Sequence, residues 1–329
     1  MGNPSDGFGG KTLTVQVRDF GAWTRLWESP RLEIVPHPVH DPFEFDSIDH
    51  LHDTAQQDGY YGGTRLIYAT CKRFCQYCCS NEIDLRDANF TIEYGTDIPR
   101  QVGLGGSSAI VVATLRALMD FYGVEEDDIP LPMQPNLALS VETDELEIKA
   151  GLQDRVAQIY GGLVYMNFDP EYVAEHGHGE YRRLDLDLLP PLYLAWIPHS
   201  TTTSGKAHNL VHYRFDNGDP DVVEAMRQFA RYADEALEVL EGGDIDRLAE
   251  LMDANFDLRR AIYGDDVIGA QNLEMVRIAR DHGMPAKFTG SGGAITGILM
   301  DESRLPSLRR AFDDAGYSFL RVTPTAASE

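Results

Sequence analysis

Apolar residues recur along this chain at two periods, and the switches between them lay out the predicted elements. KTLTVQV (11–17) and LEIVPH (32–37) read as short strands, and NFTIEYG (89–95) alternates as a strand does. From about Thr64 to Cys78, Ile67, Cys71, Phe74, Cys75 and Cys78 fall at steps of three and four, which predicts one helix with these residues on a shared face. A second helix is expected from about Ser107 to Tyr122, a third over 135–150, then a strand in GGLVYMNF (161–168). Pro190 and Pro191 interrupt the pattern, and LYLAWIP begins a new strand. Beyond it lie a long helical pattern from Asp221 to about Tyr263 and a helix over 272–283 ended by Gly283. KFTGSGGAITGILM (287–300) reads as strand, glycine turn, strand, and 305–322 as helix then strand. The pattern predicts two domains, 1–190 and 191–329, the second an α+β sandwich.

Charge narrows the partners. The net charge of −25, from 53 acidic and 28 basic residues, repels nucleic acid and anionic membranes, so neither is expected as a partner. No run of eighteen apolar residues predicts a membrane span, and MGNPSDGFGGK has no apolar signal core, so a cytoplasmic protein is expected. Lysine is scarce (Lys11, Lys72, Lys149, Lys206 and Lys287), as suits an acidic surface adapted to salt. All four cysteines fall in CKRFCQYCC, at 71, 75, 78 and 79, so a disulfide framework is not expected.

Three stretches carry candidate chemistry. In PRQVGLGGSSAIVVATLRAL, glycines at 103, 105 and 106 precede two serines and a helix. Glycines let backbone N–H groups point inward, and a helix start adds its positive dipole end. Together they suit a polyphosphate, and a serine hydroxyl there can ligate Mg²⁺. The competing reading is an ordinary turn before a helix. No Lys follows in the Walker A position. In the second stretch, Glu142 sits within an apolar helix, where a carboxylate needs a cation or a metal, and Asp154 lies in GLQDR, either as a helix cap or as a carboxylate near a substrate hydroxyl. The third is KFTGSGGAITG, where Gly290, Gly292 and Gly293 form a second close-approach loop or a tight hairpin.

Taken together, the Pro99–Ala109 and Thr289–Gly293 loops resemble those of the GHMP kinase superfamily. GNPSDGFGGKT, DGYYGGTRLIYATCKRF, TDIPRQVGLGGSSAIVVA, AGLQDRVAQIYGGLVYMNF, NFDLRRAIYGDD and KFTGSGGA resemble its glucuronokinase branch over nearly the whole chain. Two departures stand out: only Met1 precedes GNPSD, where an apolar strand is usual, and the loop reads GLGGSSA rather than GLGSSA. The resemblance implies an α+β GHMP kinase fold, with a ribosomal-protein S5 domain 2-like N-terminal domain that binds nucleotide and substrate and a ferredoxin-like C-terminal domain. It implies ATP and Mg²⁺, and transfer of phosphate to the anomeric hydroxyl of a sugar acid, D-glucuronate first. Gly103, Leu104, Gly105, Gly106, Ser107, Ser108 and Ala109 would cradle phosphates, Ser108 and Glu142 would hold Mg²⁺, and Asp154 would receive the substrate proton. A sugar acid needs a cation, and Lys11, Arg65, Arg155 and Lys206 are the four candidates, with no choice among them. Asp6, Gly290 and Gly292 complete the substrate candidates.

Alternatives remain at this stage. The loops also suit a GHMP kinase for another small sugar or a heptose phosphate, or a non-catalytic sensor on the same scaffold. In a different class, Cys71, Cys75 and Cys78 have the C-x₃-C-x₂-C spacing that holds the cluster of radical SAM enzymes, opposed by their helical periodicity. The sequence implies no particular oligomeric state.

Overall fold

The structure is a computed structural model that describes residues 1–58, 62–198 and 205–325, without the side chains of 57, 58 and 205–210. In chain order the first half holds β1 (Lys11–Val15), β2 (Ala22–Glu28), β3 (Glu33–Ile34), α1 (Ile48–Asp58), α2 (Thr64–Ser80), β4 (Phe90–Thr96), α3 (Gly106–Tyr122), α4 (Gln134–Ser140) and α5 (Gln153–Tyr160). The second half holds β5 (Leu163–Asn167), α6 (Pro170–His176), β6 (Glu180–Leu184), β7 (Leu192–Trp196), α7 (Gly205–Asp216), α8 (Pro220–Gly242), α9 (Ile245–Tyr263), α10 (Asp265–Ile268), α11 (Ala270–Asp281), β8 (Lys287–Phe288), β9 (Ala294–Ile298), α12 (Leu305–Asp314) and β10 (Ser318–Arg321).

The chain forms two compact units, but they are interleaved and not divided at residue 190. One comprises Met1–Asp19, Pro99–Leu104 and Tyr160–Glu329, the other Phe20–Ile98 and Gly105–Ile159. The cause is strand pairing: β5 runs antiparallel to β1 from Lys11↔Asn167 to Val15↔Leu163, which draws the chain after 160 back to the N-terminus.

In the first unit, β1, β5 and β6 form one antiparallel sheet, and α8 packs on β1. Met1 pairs through its backbone with Leu13 on β1, and Val17 bridges Pro324 near the other end of the chain. A second sheet has the order β10-β7-β9-β8, which is the strand order of a ferredoxin-like sandwich. Its core gathers Tyr193, Phe256, Phe288, Phe312 and Phe319, and the Tyr193 hydroxyl donates to the Pro285 carbonyl at 2.8 Å, so its buried polar atom is satisfied. The helical pattern over 221–263 forms two helices. Gly243 takes a left-handed φ of 73° between α8 and α9, and Asp244 caps α9 by accepting from Arg247 N at 3.0 Å.

In the second unit, β2 pairs antiparallel and β3 parallel with β4. Helix α3 packs on β2 and α2 packs on α3. Ile67, Phe74, Phe90, Ile92, Leu115 and Leu118 fill its core. The pattern missed β2, because AWTRLWE turns Trp23, Arg25 and Trp27 outward and inverts the usual apolar-in signal. The helix expected over 135–150 is shorter: α4 widens at Val141–Glu145 into a π-helical turn, and Glu147, at φ 55°, lies beyond its end.

Candidate active site

The chain passes from the first unit to the second inside the glycine loop, between Leu104 and Gly105. In the second unit, Gly105 stands at the N-terminus of α3 with φ 68°, a left-handed conformation that favours glycine. The first intrahelical bond is Ala109 N to Gly105 O at 3.0 Å, so the N–H groups of Gly106, Ser107 and Ser108 belong to the open first turn. Ser107 is exposed, while Ser108 is buried and its Oγ donates to Gly105 O at 2.8 Å. Gln158 on α5 donates to Gly105 O at 2.9 Å and to Ser108 Oγ at 3.0 Å. A Cβ on Gly105 would meet Gln158 Nε2 at 3.1 Å, Ser108 Oγ at 3.3 Å and Asp154 Cγ at 3.4 Å. The structure thus brings Ser108 and Asp154, forty-six positions apart in sequence, to one side-chain-free face of the loop.

Glu142 lies in the π-helical turn and is 2% exposed. Its Oε2 accepts from Arg155 Nη2, and Arg155 Nη1 donates to the Gly151 carbonyl at 2.9 Å. Arg155 was a candidate for the substrate carboxylate, but its guanidinium is turned onto Glu142. Helical spacing explains this: Asp154 and Arg155 are neighbours in the first turn of α5, about 100° apart around its axis, so they face different ways. Arg65 occupies the first turn of α2 and is partly exposed.

In the first unit the two glycine loops meet backbone to backbone. Thr289 Oγ1 donates to Gly103 O at 3.0 Å, and a Cβ on Gly290 would lie 2.7 Å from that same carbonyl. Gly292 has φ 120°. Lys11 is ion-paired: its Nζ lies 2.8 Å from Asp234 Oδ2, and Asp234 Oδ1 accepts from the Tyr165 hydroxyl at 2.5 Å. Asp6 lies in the 3₁₀ turn Ser5–Phe8, and its charge reaches Arg259 and Tyr263. The Lys206 side chain lies outside the described residues.

Sequence reasoning did not single out Arg259. It is buried on α9 and its Nη1 donates to Asn3 Oδ1 at 2.6 Å and to Gly290 O at 2.8 Å, so one guanidinium ties the first motif to the second glycine loop. The available signal was an arginine at helical spacing from apolar Phe256 and Tyr263, inside the NFDLRRAIYGDD stretch.

The cysteines do not form a cluster loop. Cys71, Cys75, Cys78 and Cys79 are free thiols on the continuous helix α2. Burial pushes the Cys71 thiol up to about 12 and the Cys78 thiol up to about 11, away from the thiolate that ligates metal. Among the described residues no group of three or more His, Cys, Asp or Glu is placed to hold a metal ion, and the iron–sulfur alternative is set aside.

Comparison with known proteins shows the family. The GHMP kinases N terminal domain profile matches residues 65–162, which include Ser108, Glu142 and Asp154. "Glucuronokinase 1" of Arabidopsis thaliana is 44% identical, over 100% of this chain and 91% of its own length. This chain belongs to the GHMP kinase family. "Probable glucuronokinase 2" of the same plant is 49% identical to the kinase, over 90% of this chain and 80% of its own. The kinase also shares its fold with Lactococcus lactis galactokinase, at TM-score 0.75 and 14% identity, covering 100% of this chain and 92% of that one. ATP is therefore its phosphoryl donor. No helix of the described residues is long and apolar enough to cross a membrane.

Proposed function

We propose that the kinase transfers the γ-phosphoryl group of ATP to the anomeric hydroxyl of a sugar acid, D-glucuronate, giving glucuronate 1-phosphate and ADP. The observation that carries the reading is the face of Gly105 shared by Ser108 and Asp154, in a chain 44% identical to a glucuronokinase along its whole length. The residues divide the work as follows. The loop Gly103–Ala109 offers backbone N–H groups and a helix N-terminus to the phosphates. The Asp154 carboxylate takes the proton as the hydroxyl oxygen bonds to phosphorus and the bridging oxygen leaves with ADP. A loose transition state asks only for positioning and late proton transfer, so an ordinary carboxylate suffices.

The donor set suits Mg²⁺, which prefers hydroxyl and carboxylate oxygens. Ser108 Oγ would be one ligand, and the Glu142 carboxylate another. When bound, the ion neutralises charge between the phosphates. Arg155 orients the Glu142 carboxylate. The free thiols favour a cytoplasmic enzyme.

The test is ATP turnover with Mg²⁺ against glucuronate, galacturonate, glucose, galactose and a heptose phosphate. Turnover on glucuronate, with the phosphate at C1 by phosphorus NMR, is the expected result. Turnover confined to a neutral sugar or the heptose phosphate removes the substrate assignment.

A further inference from the structure

The stretch CKRFCQYCC supplies none of the residues proposed for phosphoryl transfer. Its four free thiols all stand on α2, and they divide by environment. Cys78 is buried and Cys71 half-buried, while Cys75 and Cys79 are exposed. The exposed two are four positions apart, about 40° around the helix axis, so their side chains leave one face side by side. The Cys75 thiol is hydrogen-bonded to that of Cys79, the cysteine that lies outside the C-x₃-C-x₂-C spacing.

Geometry and protons decide what can join the two sulfurs. A disulfide asks for Cβ atoms about 3.5–4.5 Å apart, and helix residues at this spacing hold theirs about 5–6 Å apart. A direct S–S bond would therefore distort α2, whereas one atom bonded to both sulfurs spans the difference. Zinc is not that atom. It asks for four ligands, and among the described residues no group of three or more His, Cys, Asp or Glu is placed to hold a metal ion. Metal ions also need thiolates, and burial first, then the bond to Cys79, push the Cys75 thiol up, so it keeps its proton. Trivalent arsenic meets these conditions. It is thiophilic, it brings its own third substituent, and its pyramidal shape bends the two bonds toward side chains that stand side by side. We propose that Cys75 and Cys79 form a dithiol site for trivalent arsenicals. In the step, two As–S bonds form and two As–OH bonds break. Each thiol proton leaves with a hydroxide as water, so no oxidation state changes and no base is needed. The inference is independent of which sugar the kinase phosphorylates.

The test titrates the intact, reduced kinase with phenylarsine oxide, which hydrates to a dihydroxide, and weighs the product by mass spectrometry. One phenylarsenic group per chain is expected, with the loss of two thiol protons. Excess dithiothreitol should strip it, and glutathione at the same thiol concentration should not. The second As–S bond closes within one chain, so Cys75→Ser or Cys79→Ser should weaken binding by about 10²–10⁴-fold. Both positions are exposed, so these variants keep the fold. Cys71→Ala should bind as the wild type does. Undiminished binding in Cys79→Ser would pair Cys75 with Cys71 or Cys78 and overturns the assignment. A wild type that forms no adduct, or one that glutathione removes, overturns it as well.

Discussion

Arg155 donates from Nη2 to Glu142 Oε2 with both side chains buried, 5% and 2% exposed. Breaking one side of such a pair strands a charge. Arg155→Met should therefore cost roughly 3–5 kcal/mol of stability. The double variant Arg155→Met, Glu142→Leu should recover most of that stability in urea denaturation, yet remain inactive. Turnover in the double variant would show that Glu142 serves the fold alone.

Asp154→Asn keeps the shape of the carboxylate and removes its basicity. We expect kcat to fall by about 10²–10⁴-fold. The KM for ATP should change little. Steady-state kinetics with both substrates varied checks this, and wild-type kcat would end the assigned role.

Gly105→Ala places a Cβ at a φ of 68° and 3.1 Å from Gln158 Nε2. The left-handed conformation alone costs roughly 1–2 kcal/mol for an L side chain. The added methyl also crowds Ser108 and Asp154. The expected outcome is a raised KM for ATP together with a lower thermal midpoint, read by nucleotide titration and by melting.

Lys287 gives a pH signature. Burial first, and then the Arg259 charge, lower its ammonium to about 7 from an ordinary 10.5. Between those values the unfolded chain holds a proton that the folded chain has lost, so this residue makes stability rise with pH from about 7 toward 10.5. Below about 7 both states are protonated and the full burial penalty applies. Lys287→Met removes the group, so the advantage of the variant over wild type should shrink between pH 7 and pH 9.5 in denaturant titrations. A constant difference would mean that Lys287 stays charged throughout.

Much of the fold was legible because its signals are local. Thr64–Ser80 and Gly106–Tyr122 show their apolar faces in sequence, and Gly283, at φ 73°, lies just past the helix it was expected to end. The glycine turn before the second of these helices was legible for the same reason. What failed to appear is non-local. The pairing of β1 with β5 joins residues about 150 positions apart, and no composition shift announces it. The partner of Glu142 was hidden because Arg155 reads as a neighbour of Asp154 until the helix turns it away. Arg259 was missed because its partners, Asn3 and Gly290, come from opposite ends of the chain.

The interleaving of the two units sets an order for synthesis on the ribosome. The second unit has all its residues once Ile159 has emerged, before β5 of the first unit is made. The first unit begins at Met1 yet lacks a sheet partner for β1 until Leu163–Asn167 appears. The segment made first thus waits for a strand made after the whole second unit, and the first unit of the nascent kinase closes second.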